Sequence, residues 1–253
     1  MLPPPLHPLR VRPRLHVPVR QDAQSTLSGL APPAIGLLGG SFNPAHGGHR
    51  HVSVEALKGL GLEQVWWLVS PQNPLKPRAG MAPLPTRLQQ AKIVASHPRI
   101  RVTDIERRFG TVYTVDTVSR LMRCYPYRFV WIIGADNLLQ MAQWRRWRDL
   151  VAMTPIAVFD RSPYSHGAVA SKVATALYGS RLPECRADQL TRLNPPVWTY
   201  IHLRPHPASS TAMRNGLTGG WLRSGQDDDH VPAPAALRHT TSQTENGSYP
   251  PIP

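Results

Sequence analysis

The chain has 253 residues and a formal net charge of +14, from 29 Lys and Arg against 15 Asp and Glu; 41% of its residues are hydrophobic. That length fits one domain with tails, and its only cysteines, Cys124 and Cys185, lie far apart outside any C-x-x-C spacing, which excludes a disulfide framework and a cysteine zinc site. No apolar run approaches the roughly 18 residues of a membrane span, and the charge attracts phosphates, nucleic acid or anionic surfaces without choosing among them. Arginine outnumbers lysine, which suits planar, bidentate phosphate recognition and equally fits a GC-rich coding sequence.

Prolines number 28 and crowd the two ends. Residues 1–30 are Arg-rich, nearly free of acids and too often broken by proline for a signal-peptide core or an amphipathic helix. They are expected to be a disordered extension or an upstream start. From Ala34, "AIGLLGG" reads as a buried strand closed by glycines, and "HRHVSVEALKGLG" as a helix stopped by Gly59 and Gly61. "QVWWLVSP" is a second strand, followed by a loop held irregular by Pro71, Pro74 and Pro77. "LPTRLQQAKIVASHP" predicts a helix, "IRVTDIE" a strand, and "TVDTVSRLMRCY" a helix that Thr114 caps. "YRFVWIIGAD" is the most strand-like segment. "QWRRWRDLV" predicts a helix, "TPIAVFD" a strand, "HGAVASKVATALYG" a helix ending at Gly179, "VWTYIHL" a late strand and "SSTAMRNGL" a short capped helix.

Strands alternating with helices predict an α/β protein with a Rossmann-like, doubly wound parallel sheet. The expected organisation is a Pro/Arg-rich extension over 1–30, one domain over 31–222 and a disordered tail over 223–253, where apolar residues are too few to order the chain. Ligands of such sheets sit beyond the carboxyl ends of the strands. The unusual residues fall in those loops.

The most unusual is "GLLGGSFNPAHGGHR", residues 36–50. Glycines let backbone N–H groups approach a phosphate, and a helix N-terminus adds partial positive charge. His46 and His49, entering the helix, then become candidate donors to phosphate oxygens, and a nearby anion would favour their charged forms. The stretch is neither the dinucleotide G-x-G-x-x-G nor a Walker loop. Two histidines three apart could also be zinc ligands, although only His51 offers a third and it points to another side of the helix.

The run Gly39, Gly40, Ser41, Phe42, Asn43, Pro44, Ala45, His46, Gly47, Gly48, His49 resembles the phosphate-binding signature of the HIGH-type nucleotidyltransferases, G-G-[ST]-F-D-P-x-H-x-G-H. Asn43 stands where Asp is frequent and Ala45 where Pro is frequent; both keep size and turn preference. "PASSTAMR", residues 207–214, resembles the superfamily's second signature. There Ser209, Ser210 and Thr211 would offer hydroxyls and N–H groups, with Arg214 one turn on for bidentate contact. With "LVSPQNPLK", "DIERRFGTVYTVDT" and "WIIGADNLLQMAQW" added, residues 34–217 look like the nicotinate-nucleotide adenylyltransferase family.

That resemblance implies transfer of the adenylyl group of ATP to nicotinate mononucleotide, in the cytoplasm, in NAD biosynthesis. It implies His46, His49 and Arg214 as catalytic residues. Gly39, Gly40, Ser41, Phe42, Lys76, Ser209, Ser210 and Thr211 would hold ATP, and Asn43, Thr114, Asp136 and Trp144 the mononucleotide, with Trp144 stacked on the pyridine ring. Mg²⁺ would be held mainly through ATP phosphates, with no protein metal site. The partners implied are small molecules, without nucleic acid or membrane, in a chain compatible with a homo-oligomer. Ordinary alternatives stand beside these roles: Trp144 and Trp147 could pack a helix on the sheet, Thr114 be a cap, Lys76 a solvated charge and Glu106 a partner for a nearby arginine. Related acceptors, nicotinamide mononucleotide or pantetheine phosphate, are the nearest alternatives. A basic RNA-binding protein is a remoter one, since no known nucleic-acid module is present.

Overall fold

A computed structural model describes residues 31–72, 75, 80–160 and 165–203. The fold belongs to the unit beginning at Pro33. Its strands are β1 (Ala34–Gly40), β2 (Gln64–Val69), β3 (Ile100–Thr103), β4 (Arg128–Gly134), β5 (Ile156–Phe159), β6 (Arg181–Leu182) and β7 (Trp198–Ile201). All pair in parallel, in the spatial order β3-β2-β1-β4-β5-β7-β6. The sheet is the expected doubly wound, Rossmann-like one. Leu38 of β1 lies opposite Trp67 on one side and Ile132 on the other.

The helices are α1 (Gly47–Gly59), α2 (Leu84–Val94), α3 (Ile105–Phe109), α4 (Thr114–Cys124), α5 (Ala135–Gln140), α6 (Trp147–Met153), α7 (Ser165–Val169) and α8 (Lys172–Ala176). Strands covered on both faces read as continuous apolar runs, as "VWWLV" and "FVWII" do, because successive side chains enter opposite cores. Leu38, Val130 and Ile132 join Val52 and Ala56 of α1 and Ala91 of α2 in one core. Leu37, Trp131 and Ile133 join Val118 and Leu121 of α4 and Leu150 of α6 in the other. Between β1 and β4 the strand order reverses, which opens a crevice at their carboxyl ends.

Several local expectations change. The strand expected over "IRVTDIE" ends at Thr103, where Asp104 turns the chain into α3. Thr114 does not cap α4; it is the first helical residue, and the cap position is Tyr113, whose side chain makes no capping bond. The helix expected over "QWRRWRDLV" begins only at Trp147, because Arg146 takes a left-handed conformation with φ 52°. The long helix expected to end at Gly179 is two short ones, since the Ser171 hydroxyl accepts from Ala174 N–H and starts α8 afresh. Helix α5, β6 and the short 3-10 turns over Glu184–Arg192 were not foreseen. The terminal segments 1–30 and 223–253, and the helix expected over "SSTAMRNGL", lie outside the described residues.

Glu106 corrects another expectation. It pairs with no neighbouring arginine: Arg107 and Arg108 turn to Asp104 instead. Its carboxyl is buried, and Oε2 has no hydrogen-bond partner. Burial pushes its pKa up from 4.5 to about 7, with the nearby Ser70 hydroxyl pulling partly back. Between those values the folded chain holds a proton that the unfolded chain releases, so stability falls as pH rises through that window and levels off above it.

Gly39 has no room for a side chain. A Cβ there would lie 2.6 Å from Trp131 Cη2, and that indole is locked in the core at 2% exposure. Gly39→Ala should therefore cost about 1–3 kcal/mol by overpacking, read by urea unfolding, and pairing it with Trp131→Phe should recover part of the loss; an unchanged stability in Gly39→Ala would refute the packing argument. Glu106→Gln should remove the pH-dependent fall, on the order of 3 kcal/mol in wild type between about pH 5 and about pH 8. Parallel profiles for the two proteins would show that Glu106 does not hold the proton.

Candidate active site

The chain must turn from the end of β1 at Gly40 into α1 at Gly47. Phe42 does this with a left-handed backbone, φ 46°, which costs a non-glycine residue about 1–3 kcal/mol. Its ring is held in place: 1% exposed, it stacks on Trp67 of β2 at 5.0 Å between centroids and 15° between planes. The Phe42 side chain thus belongs to the core beneath the turn. The Asn43–Pro44 peptide is cis.

The two histidines close the helix end. His46 is the N-cap, and its Nδ1 accepts from Gly48 N–H at 3.1 Å. His49 Nδ1 accepts from His46 N–H at 3.2 Å, so the pair forms a capping box in which imidazoles replace the usual hydroxyl and carboxylate. A backbone amide can only donate, so Nδ1 of each ring carries no proton and Nε2–H is each ring's donor. A proton on either Nδ1 would break that ring's capping bond. The rings lie 3.9 Å apart, and the His49 ring also rests on Phe42 at 4.7 Å. Ser53 ties this turn to β2, donating to His49 O at 2.9 Å and accepting from Trp67 Nε1 at 2.7 Å.

Asn43 explains its departure from the aspartate common at that position. Its Nδ2 donates to Gly80 O at 3.0 Å and its Oδ1 accepts from Ala82 N–H at 3.1 Å, a pairing that needs an amide's donor as well as its acceptor. The same loop is reached by Arg87 of α2, 1% exposed, whose guanidinium donates to Ser41 O, Ser70 O, Pro71 O and Ala82 O at 2.6–3.1 Å. Sequence reasoning missed Arg87. The signal was its spacing of four from Ala91 and then Ala95, which puts it on the buried stripe of α2.

Across the crevice, Asp136 stands in the first turn of α5, just past β4, half-buried with Oδ1 enclosed and without a hydrogen-bond partner. Trp144 is half-buried and meets Trp131 edge-on at 6.5 Å and 83°. Trp147, not Trp144, is the tryptophan that packs α6 into the core. Thr114 begins α4 close by: Arg145 lies over the Tyr113 ring at 4.6 Å, and Arg146 reaches Asp116 at 3.5 Å. Because Trp131 also covers Gly39, one indole joins the glycine turn to the Trp144 segment. Among the described residues no group of three His, Cys, Asp or Glu is placed to hold a metal ion. Lys76, Ser209, Ser210, Thr211 and Arg214 lie outside the described residues.

A family model described as cytidylyltransferase-like matches residues 37–216. Curated relatives are called probable nicotinate-nucleotide adenylyltransferases. That of Parvibaculum lavamentivorans is 50% identical over 188 residues, covering 74% of this chain and 92% of the relative. That of Roseobacter denitrificans is 47% identical over 189 residues, covering 74% and 94%. Among solved structures, the Plasmodium falciparum nicotinic acid mononucleotide adenylyltransferase complexed with NaAD superposes with a TM-score of 0.55 at 17% identity, over 74% of this chain and 85% of that one, a likeness of fold. Carrying the glycine–histidine turn at the switch point of a doubly wound sheet, this chain belongs to the nicotinate-nucleotide adenylyltransferase family.

Proposed function

We propose that the chain transfers the adenylyl group of ATP to nicotinate mononucleotide, giving nicotinate adenine dinucleotide and pyrophosphate, with the crevice between β1 and β4 as the site. The observation that carries this reading is the histidine capping box, which sets the imidazoles of His46 and His49 at the amino end of α1 beside the glycine turn. A phosphate oxygen of the mononucleotide attacks the α-phosphorus of ATP; a new P–O bond forms as the bond to the β-phosphate oxygen breaks, and the electron pair leaves with pyrophosphate. Such a transfer depends on positioning and on stabilising charge, without a protein nucleophile.

In this reading, His46 and His49 donate to the oxygens that gain charge, and the amides from Gly40 to Phe42 let the phosphates come close. Lys76, Ser209, Ser210, Thr211 and Arg214 take the remaining phosphate contacts by carry-over from the family's motifs, within a catalytic unit spanning residues 31–222. Mg²⁺, when bound, neutralises phosphate charge. One observation suits such an ion: the enclosed carboxylate oxygen Oδ1 of Asp136 has no hydrogen-bond partner.

Trp144 stacks on the pyridine ring, and the main-chain N–H groups opening α4 at Thr114, which lack a side-chain cap, favour the acid over the amide. No described helix is long and apolar enough to cross a membrane. The chemistry needs neither nucleic acid nor membrane, belongs in the cytoplasm, and is compatible with a homo-oligomer.

His49→Ala should lower pyrophosphate release by about 10²-fold or more and loosen the cap by about 1 kcal/mol. His49→Gln keeps a capping acceptor at that position and should restore stability without restoring turnover; near-normal kcat in either variant would sink the role of the imidazole. Trp144→Ala should raise KM for nicotinate mononucleotide much more than KM for ATP in the same assay, and equal effects on both would count against stacking.

A further inference from the structure

Arg87 is almost wholly buried, at 1% exposure, and among the described residues no carboxylate pairs with it. An isolated buried charge is costly, and a structural arginine is ordinarily matched by an acid. Here main-chain carbonyls surround it instead. Nη1 donates to Ser41 O at 2.6 Å and to Ser70 O at 2.7 Å, Nη2 to Pro71 O at 3.1 Å, and Nε to Ala82 O at 2.8 Å. Those carbonyls come from the loop after β1, the loop after β2 and the approach to α2. The first two loops are further joined by Ser70 N–H, which donates to Gly40 O at 2.9 Å.

The location gives this arrangement a purpose. Parallel strands end in carbonyl groups at their carboxyl edge, and a carbonyl aimed at a phosphate repels it. The guanidinium engages the carbonyls of Ser41, Ser70 and Pro71 directly, so that the chain can present N–H groups to an anion. An acid beside Arg87 would cancel its field. Without one, the full positive charge stays directly under the turn, and a bound anion completes its compensation.

We propose that Arg87 is a positioning residue for the triphosphate of ATP, locking the β1 and β2 loops at the spacing the phosphates need and placing a permanent positive charge beneath them. The inference rests on the reading of the Gly40–His49 turn as the phosphate site. It makes anion binding and the Arg87 contacts energetically coupled. Lysine keeps the charge but lacks the planar fork, so it cannot reach carbonyls of three segments at once. Methionine keeps much of the stem and removes the charge.

The test compares wild type, Arg87→Lys and Arg87→Met by the rise in Tm that inorganic tripolyphosphate produces, a rise that reports binding to the folded state, and by KM for each substrate. Wild type should be stabilised, Arg87→Lys should keep part of the rise with KM for ATP up by about tenfold, and Arg87→Met should lose it; KM for the mononucleotide should change little. A purely structural arginine would lower the Tm of the unliganded protein and leave the tripolyphosphate-induced rise intact. A folded variant with an undiminished rise, or with both KM values raised alike, overturns the proposal. If Arg87→Met does not fold, Arg87→Lys decides alone. If wild type itself shows no rise, the phosphate-site reading fails first and takes the proposal with it.

Discussion

A strand in the middle of a parallel sheet cannot hand its chain to a neighbouring strand; it must leave over one face. Strand β1 has β2 on one side and β4 on the other. Its chain departs through α1, whose apolar side chains join one core, while the chain reaches β4 from α4, buried in the other. The two connections separate, and the gap between them at the carboxyl edge is enforced by the topology. The turn after β1, Asp136 after β4, and the Thr114 and Trp144 segments are organised around that gap.

Holding the gap in shape imposes demands that packing and chemistry share. Phe42 accepts an unfavourable backbone conformation and is held by its stacking on Trp67. His46 and His49 use Nδ1 to close the end of α1, and the same bonds determine that Nε2 carries the donor. Local structure therefore decides the protonation site of the side chains assigned to catalysis. Asn43 and Arg87 extend this logic outward, tying Ala82 from two directions and fixing the loops that flank the turn.

The sheet was legible in the sequence because strands buried on both faces are continuous apolar runs, and "QVWWLV" or "RFVWIIG" admit few other readings. Helices whose limits depend on tertiary contacts were not. The start of α6 follows a left-handed Arg146 bonded to Asp116 and Asp149, and the break between α7 and α8 follows a serine cap inside an otherwise helical run. At the site, the spacing pointed to His46 and His49, but nothing in it showed that both would cap the helix. Gly39 was read as a phosphate-facing glycine, and the packed Trp131 indole supplies a separate reason for its missing side chain. Arg87 escaped notice because an arginine in a helix is usually a solvated charge, and its burial depends on carbonyls from segments distant in sequence.

These features converge on one claim, that the crevice joins ATP to a mononucleotide carrying a ring carboxylate. The most direct measurement is pyrophosphate release from ATP and Mg²⁺ by the full chain, with nicotinate mononucleotide and nicotinamide mononucleotide compared as acceptors at equal concentration. The account predicts rapid release with the acid and far slower release with the amide. Equal rates would contradict the anion-favouring site at the start of α4, and no release with either would contradict the adenylyl-transfer assignment itself.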